Sequence, residues 1–134
     1  MSSTIINLII GFICALFCIW LFRRFFPGKD HTVWRFGLVI AAIIYVIFVL
    51  FGEQSEYLVM ELGGVMVFSV FAWLSYKYNL YWLSLGWAMH TVWDILLHNA
   101  ATMTYVPQYY PITCLGFDLA VAAYIAWLAK DYKF

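Results

Sequence analysis

Five stretches of this chain, residues 4–22, 34–51, 57–76, 80–98 and 111–129, are apolar almost from end to end. A helix rising about 1.5 Å per residue needs about 20 such residues to cross a hydrocarbon core. In lipid every backbone N–H and C=O must be bonded within the protein, which leaves helices as the way to use runs of this length. Only 10% of the 134 residues are charged and 66% are hydrophobic. A soluble domain carries roughly a quarter charged residues, and this chain could not cover a water-facing surface. The predicted fold is an all-α membrane protein: one transmembrane domain, residues 1–134, built as a five-transmembrane-helix bundle. The lipid bilayer is its first partner. Formal net charge is zero, so nothing points to nucleic acid.

The connections are short. Residues 25–33 carry Pro27 and Gly28, a turn signal; residues 52–56 are acidic, 77–79 make a tight turn, and 99–110 form the longest loop. Arg23, Arg24, Lys29 and Arg35 flank the first connection, Lys77 lies in the third, and Lys130 and Lys133 lie in the tail. With five spans these regions share one side, so the positive-inside rule places the N-terminus outside and the C-terminus in the cytoplasm. The opposite side has Glu53 and Glu56. A cleaved signal peptide would carry basic residues before its apolar stretch. Here the arginines follow it, as in an uncleaved N-outside helix. The bacterial cytoplasmic membrane is the default location, with a eukaryotic internal membrane as the alternative. Aromatics, 22% of the chain, fall mostly at predicted interfaces, where they anchor. Cys14, Cys18 and Cys114 read as small apolar packing residues. The Gly11/Ala15 and Gly37/Ala41 pairs permit close helix packing, within the bundle or in a homo-oligomer.

Ionisable residues inside a span cost roughly 2.5–3.5 kcal/mol each on insertion scales. The spans contain Glu61, His90, Asp94, His98 and Asp118. At the helical rise, Glu61 is about one turn below the outer end of the third span and Asp118 roughly 10 Å below that of the fifth. Asp94 lies about 6 Å and His90 about 12 Å below His98. All five therefore fall in the outer half of the bilayer. His90, Asp94 and His98 share one helix face at i, i+4, i+8. Cys114 and Asp118 share theirs with Ala122 and Ala126, while Gly63 and Gly64 leave room beside Glu61. These patterns predict that the third, fourth and fifth helices face each other around a polar pocket, open outward beneath loop 99–110. The bland alternative is an interhelical hydrogen-bond network, worth only about 0.6 kcal/mol per bond. On the inner side Ser69, Ser75, Tyr45 and Ser84 offer polarity but no ionisable group. His31 reads as solvated in its loop.

The stretch Gly86-Trp87-Ala88-Met89-His90-Thr91-Val92-Trp93-Asp94 with His98, then Val106-Pro107, Tyr110-Pro111, Cys114 and Phe117-Asp118, joins Glu61-Leu62-Gly63 in a distinctive pattern. It resembles a family of small bacterial integral membrane proteins of unknown function over roughly the C-terminal half. The resemblance implies that the residues chosen by depth are that family's pattern residues, and it brings no activity. His90–Asp94 also looks like the intramembrane His-x-x-x-acid pair of emopamil-binding sterol isomerases, although the rest of their pattern is absent. Seven-span zinc hydrolases of membranes use His and Asp near a membrane face, but this chain lacks their spans and third intramembrane histidine.

Three functions follow as expectations. The first is a membrane-embedded enzyme acting on a lipophilic small molecule. In one form His90, Asp94, His98 and Asp118 ligate zinc or iron, with Glu61 as general base. In the other, Glu61, His90, Asp94 and Asp118 perform metal-free acid–base chemistry of the isomerase or cyclase kind. The second is a proton or metal-cation transporter, since acid–His chains relay protons in membranes. The third is a non-catalytic assembly subunit or a haem- or pigment-binding one, with His90 as axial ligand. The topology is directly testable: a cysteine at Glu56 should react with an impermeant thiol reagent from outside intact cells, and one at Lys77 only after lysis. The reverse pattern would overturn it.

Overall fold

A computed structural model describes residues 3–52, 55–97 and 109–131. They form five helices: α1 (Ser3–Phe25), α2 (Asp30–Phe51), α3 (Leu58–Lys77), α4 (Tyr81–Leu97) and α5 (Tyr110–Asp131), with a short 3-10 turn at Ser55–Tyr57 before α3. Four helices are long and apolar enough to cross a membrane: α1, α2, α3 with its leading turn, and α5. The fifth, α4, has 17 described residues.

Local chemistry sets most boundaries. Gly28 takes φ +74°, a left-handed conformation that side chains rarely adopt. This sharp turn lets α2 begin at Asp30, earlier than expected, with the acid in the first turn where it complements the helix dipole. His31 is consequently not in a solvated loop; it lies in the first turn of α2 and is half-buried. Asn79 accepts a hydrogen bond from the Tyr81 N–H at 2.7 Å and caps α4. Pro111 occupies the first turn of α5, where its missing N–H is harmless.

Packing follows the order α1, α5, α4, α3, α2, and α2 also touches α4. This corrects the expectation that the third, fourth and fifth helices face one another: α4 lies between α3 and α5. Although a tight turn joins them, α1 and α2 hardly touch. The reason is a reciprocal glycine contact on the far side of α1. A Cβ at Gly11 would collide with the carbonyl oxygen of Thr113, and one at Gly116 with that of Leu8. Only bare backbone permits so close an approach, and it draws α1 onto α5. The core between the other helices contains Trp34, Leu38, Phe68, Leu83, Trp87, Val121 and Ile125.

Outside, the bundle is apolar: Phe51, Val59, Met66 and Leu96 are strongly exposed. One end carries the basic residues and its own latches. Arg35 donates to the Ser75 hydroxyl at 2.9 Å and to the Ser75 carbonyl at 3.1 Å, tying α2 to α3. The Tyr124 hydroxyl donates to the buried Asp30 carboxylate, and Arg23 lies over the Tyr124 ring.

The glycine contact makes a specific prediction. Gly116→Leu should lower the melting temperature of the detergent-solubilised protein, because backbone atoms cannot yield and overpacking costs about 1–3 kcal/mol or more. Gly63→Leu should leave it nearly unchanged, since nothing lies within 4 Å of an added Cβ.

Candidate functional site

Three of the residues singled out by depth meet in the middle of the bundle. The helical repeat stacks His90 and Asp94 on the inner face of α4, one turn apart. Asp118 reaches them from α5, whose register against α4 is held by a 2.7 Å hydrogen bond from the Ser84 hydroxyl to the Ala122 carbonyl. His90 Nδ1 lies 2.9 Å from Asp118 Oδ2 and 3.6 Å from Asp94 Oδ2. All three side chains are at least 97% buried. One donor atom from each lies within 4.8 Å of the others, a spacing at which a single metal ion could be held.

The fourth member is one the sequence reading placed wrongly. Tyr45 on α2, counted among the inner-side polar groups, is fully buried and donates its hydroxyl proton to Asp94 Oδ1. Counting back from Phe51 at the helical rise puts it about 9 Å from that end of α2, level with the cluster. A signal was present: Trp34, Leu38, Ala42, Tyr45 and Val49 form the buried stripe of α2, and Tyr45 brings a hydroxyl to it.

Aromatic rings enclose the imidazole. Tyr45 stacks on it at a centroid distance of 5.8 Å, and Phe68 and Trp87 approach to 4.9 and 6.4 Å. His90 Nε2 is buried and has no hydrogen-bond partner among the described residues. With Nδ1 turned to the carboxylates, Nε2 is the position for the lone pair of a neutral imidazole.

Glu61 is buried on α3, where its Oε1 accepts a hydrogen bond from Trp93 Nε1 at 3.3 Å. Its neighbour Gly64 is the small residue that admits the Trp93 ring. His98 and the loop expected to roof the site lie outside the described residues.

Access to the cluster is lateral. Because α1 and α2 diverge, a groove of about 500 Å³ runs between them, floored by Trp87 of α4 and by Cys114, Phe117 and Asp118 of α5. Its walls are almost wholly apolar, and all three cysteines line it. Asp118 thus faces two ways, contacting His90 on one side and the groove on the other. No family model, curated protein or solved structure matches the chain.

The Tyr45 contact can be weighed by mutation. Tyr45→Phe keeps the ring but removes the donor to Asp94. Losing one partner of a buried charged hydrogen bond costs about 1–3 kcal/mol. Unfolding in mixed micelles, followed by tryptophan fluorescence, should show a loss of that size. No measurable loss would mean that the hydroxyl contributes nothing to holding Asp94.

Proposed function

We propose that this chain is a small membrane-embedded enzyme that performs acid–base chemistry on a lipophilic substrate. The observation that carries the reading is the double placement of Asp118, hydrogen-bonded to His90 and also part of the floor of an apolar groove. The bundle is read as five spans with the N-terminus outside and the C-terminus in the cytoplasm, which puts α4 among the spans and the cluster in the outer half of the bilayer. The bacterial cytoplasmic membrane is the proposed location, and kinship with the uncharacterised bacterial family that the motifs resemble belongs to the same proposal.

The chemistry follows from the contacts. A substrate lying in the groove meets the Asp118 carboxyl group. Asp118 exchanges a proton with the substrate, and the 2.9 Å contact lets His90 Nδ1 replace or receive it. Asp94 lies on the other side of the same nitrogen, with Tyr45 bonded behind it, and steadies the imidazole when it is charged. An imidazolium between one ionised and one protonated carboxyl group has no net charge, the cheapest state where each unpaired ion costs several kcal/mol. An apolar groove that opens towards lipid disfavours water and so protects a protonated or carbanionic intermediate from side reactions. Isomerisation or cyclisation of a double bond fits these parts. Glu61, which accepts a hydrogen bond from Trp93, is a supporting group in this reading.

A second reading is favoured by the convergence of His90, Asp94 and Asp118. Ligands about 2.0–2.2 Å from a tetrahedral ion lie roughly 3.3–3.6 Å apart. The 2.9 and 3.6 Å separations here bracket that range. One imidazole and two carboxylates form a donor set suited to zinc or iron, which would supply Lewis acidity at the head of the groove. In that case the three residues hold the ion, and Asp118 orients what lies beside it.

One pair of experiments tests both. Membrane lipid extract incubated with the purified protein should change in untargeted mass spectrometry, and the change should vanish with Asp118→Asn while helix content by circular dichroism is retained. An extract altered by neither protein, or equally by both, would overturn the enzyme reading. Elemental analysis separates its two forms: near-stoichiometric zinc or iron that disappears in His90→Ala favours the metal form, and metal-free active protein leaves the acid–base form.

A further inference from the structure

The groove between α1 and α2 is selective by charge as well as by shape. Along α2 it extends from Val33 to Ile44, about 16 Å at the helical rise. That length and a volume of about 500 Å³ suit one extended hydrocarbon chain. Among the described residues no lysine or arginine lines it, and the one carboxyl that does, Asp118, is 2% exposed and backed by Asp94. An anionic headgroup drawn into this space would meet the Asp118 carboxyl first, and His90 behind it is already matched by Asp118 and Asp94. Two further floor and wall residues, Trp34 and Trp87, have buried indole N–H groups with no hydrogen-bond partner among the described residues. Their rings meet edge to face at 5.7 Å, and both pack near Phe117, beside Asp118. Those nitrogens are sealed from the groove surface, so the polar group that meets a ligand oxygen there is the Asp118 carboxyl, which donates a hydrogen bond to it when protonated.

We infer that the groove binds an uncharged, single-chain lipid bearing an oxygen function such as an alcohol, carbonyl or epoxide, and rejects fatty acids and phosphate-headed lipids. The hydrocarbon chain lies between α1 and α2, and the oxygen sits on the floor near Asp118, within the region of the two indoles. The ligand arrives sideways from the bilayer through the gap between those helices. This assignment rests on the reading of Asp118 as the group that meets the substrate, and it names the substrate class for that site.

The test uses photolabelling of the full chain in lipid nanodiscs. The probes are a long-chain alcohol carrying a diazirine on its chain and the matching long-chain carboxylic acid, compared at alkaline pH where the acid is ionised. Labelled residues are mapped by mass spectrometry. The alcohol should label the groove walls of α1, α2 and α5 more strongly than the exposed α3 face at Val59 and Met66. The acid should label the groove about tenfold less or weaker still, as like-charge juxtaposition requires. In Asp118→Asn the acid should recover part of that deficit. Ala41→Phe narrows the groove from α2 and Cys14→Trp from α1, and either should remove the groove signal without changing the α3 signal. Cys14 is exposed, so the second variant keeps the core intact if the first does not fold. Equal groove labelling by alcohol and acid would overturn the charge selection and indicate bulk acyl chains. Labelling no stronger in the groove than at Val59 and Met66 would overturn the site itself. Because labelling needs no turnover, selective labelling with an unchanged lipid extract would sink the enzyme reading alone.

Discussion

The contact between His90 and Asp118 is the interaction on which the interior depends. It joins α4 to α5 where both helices are otherwise apolar, and Asp94 and Tyr45 bring α4 and α2 to the same point. Each of these groups is acceptable in the core only because the others are present. A carboxylate or an imidazolium alone there would carry a desolvation penalty of several kcal/mol. The cluster therefore constrains the rotation of three helices at once. A turn of α5 by one residue would leave Asp118 facing apolar side chains and His90 without its nearest partner.

Backbone packing supplies the second constraint, and it creates the groove. Gly11 and Gly116 let α1 and α5 approach until backbone atoms touch. The turn at Gly28 fixes the start of α2 but not its direction, and α2 packs on α3 and α4 instead. Two neighbours in sequence are thus pulled to opposite sides of α5 and α4. The gap they leave is apolar because residues on both its walls were already suited to lipid. The same divergence brings the groove down to the buried Asp118, and the groove would be closed if α1 lay flat on α2. Packing far from the chemistry in this way determines which carboxylate can meet a ligand.

Much of this was legible in the sequence. Apolar runs and short connections marked five helices, with boundaries that moved by a few residues. The i, i+4 spacing of His90 and Asp94, and the equal depth of Asp118, identified the three residues that meet. Depth was readable because a helix converts sequence distance into height at a constant rate. What was not legible was which helices are neighbours. Periodicity describes the faces of one helix and is silent about its partner. The expected meeting of the third and fifth helices failed for that reason, and Tyr45 was assigned to the wrong half although its position along α2 was calculable. Glu61 shows the limit of the depth argument: it shares the height of the cluster, yet its described hydrogen bond is to Trp93 on the α3–α4 side.

The energetics also distinguish a site from a fastening. With α4 counted among the spans, as proposed, placing three ionisable residues in spans costs on the order of 8–10 kcal/mol on insertion scales. Three intramembrane hydrogen bonds at the average measured strength would offset only about 2 kcal/mol. Apolar side chains of similar size would hold α2, α4 and α5 together without that deficit, as the neighbouring layer of Leu83, Val121 and Ile125 does. A polar cluster that costs more than it contributes to folding needs another justification. At Asp118, where the cluster meets the groove, exchanging a proton with a ligand is one that an apolar layer could not provide.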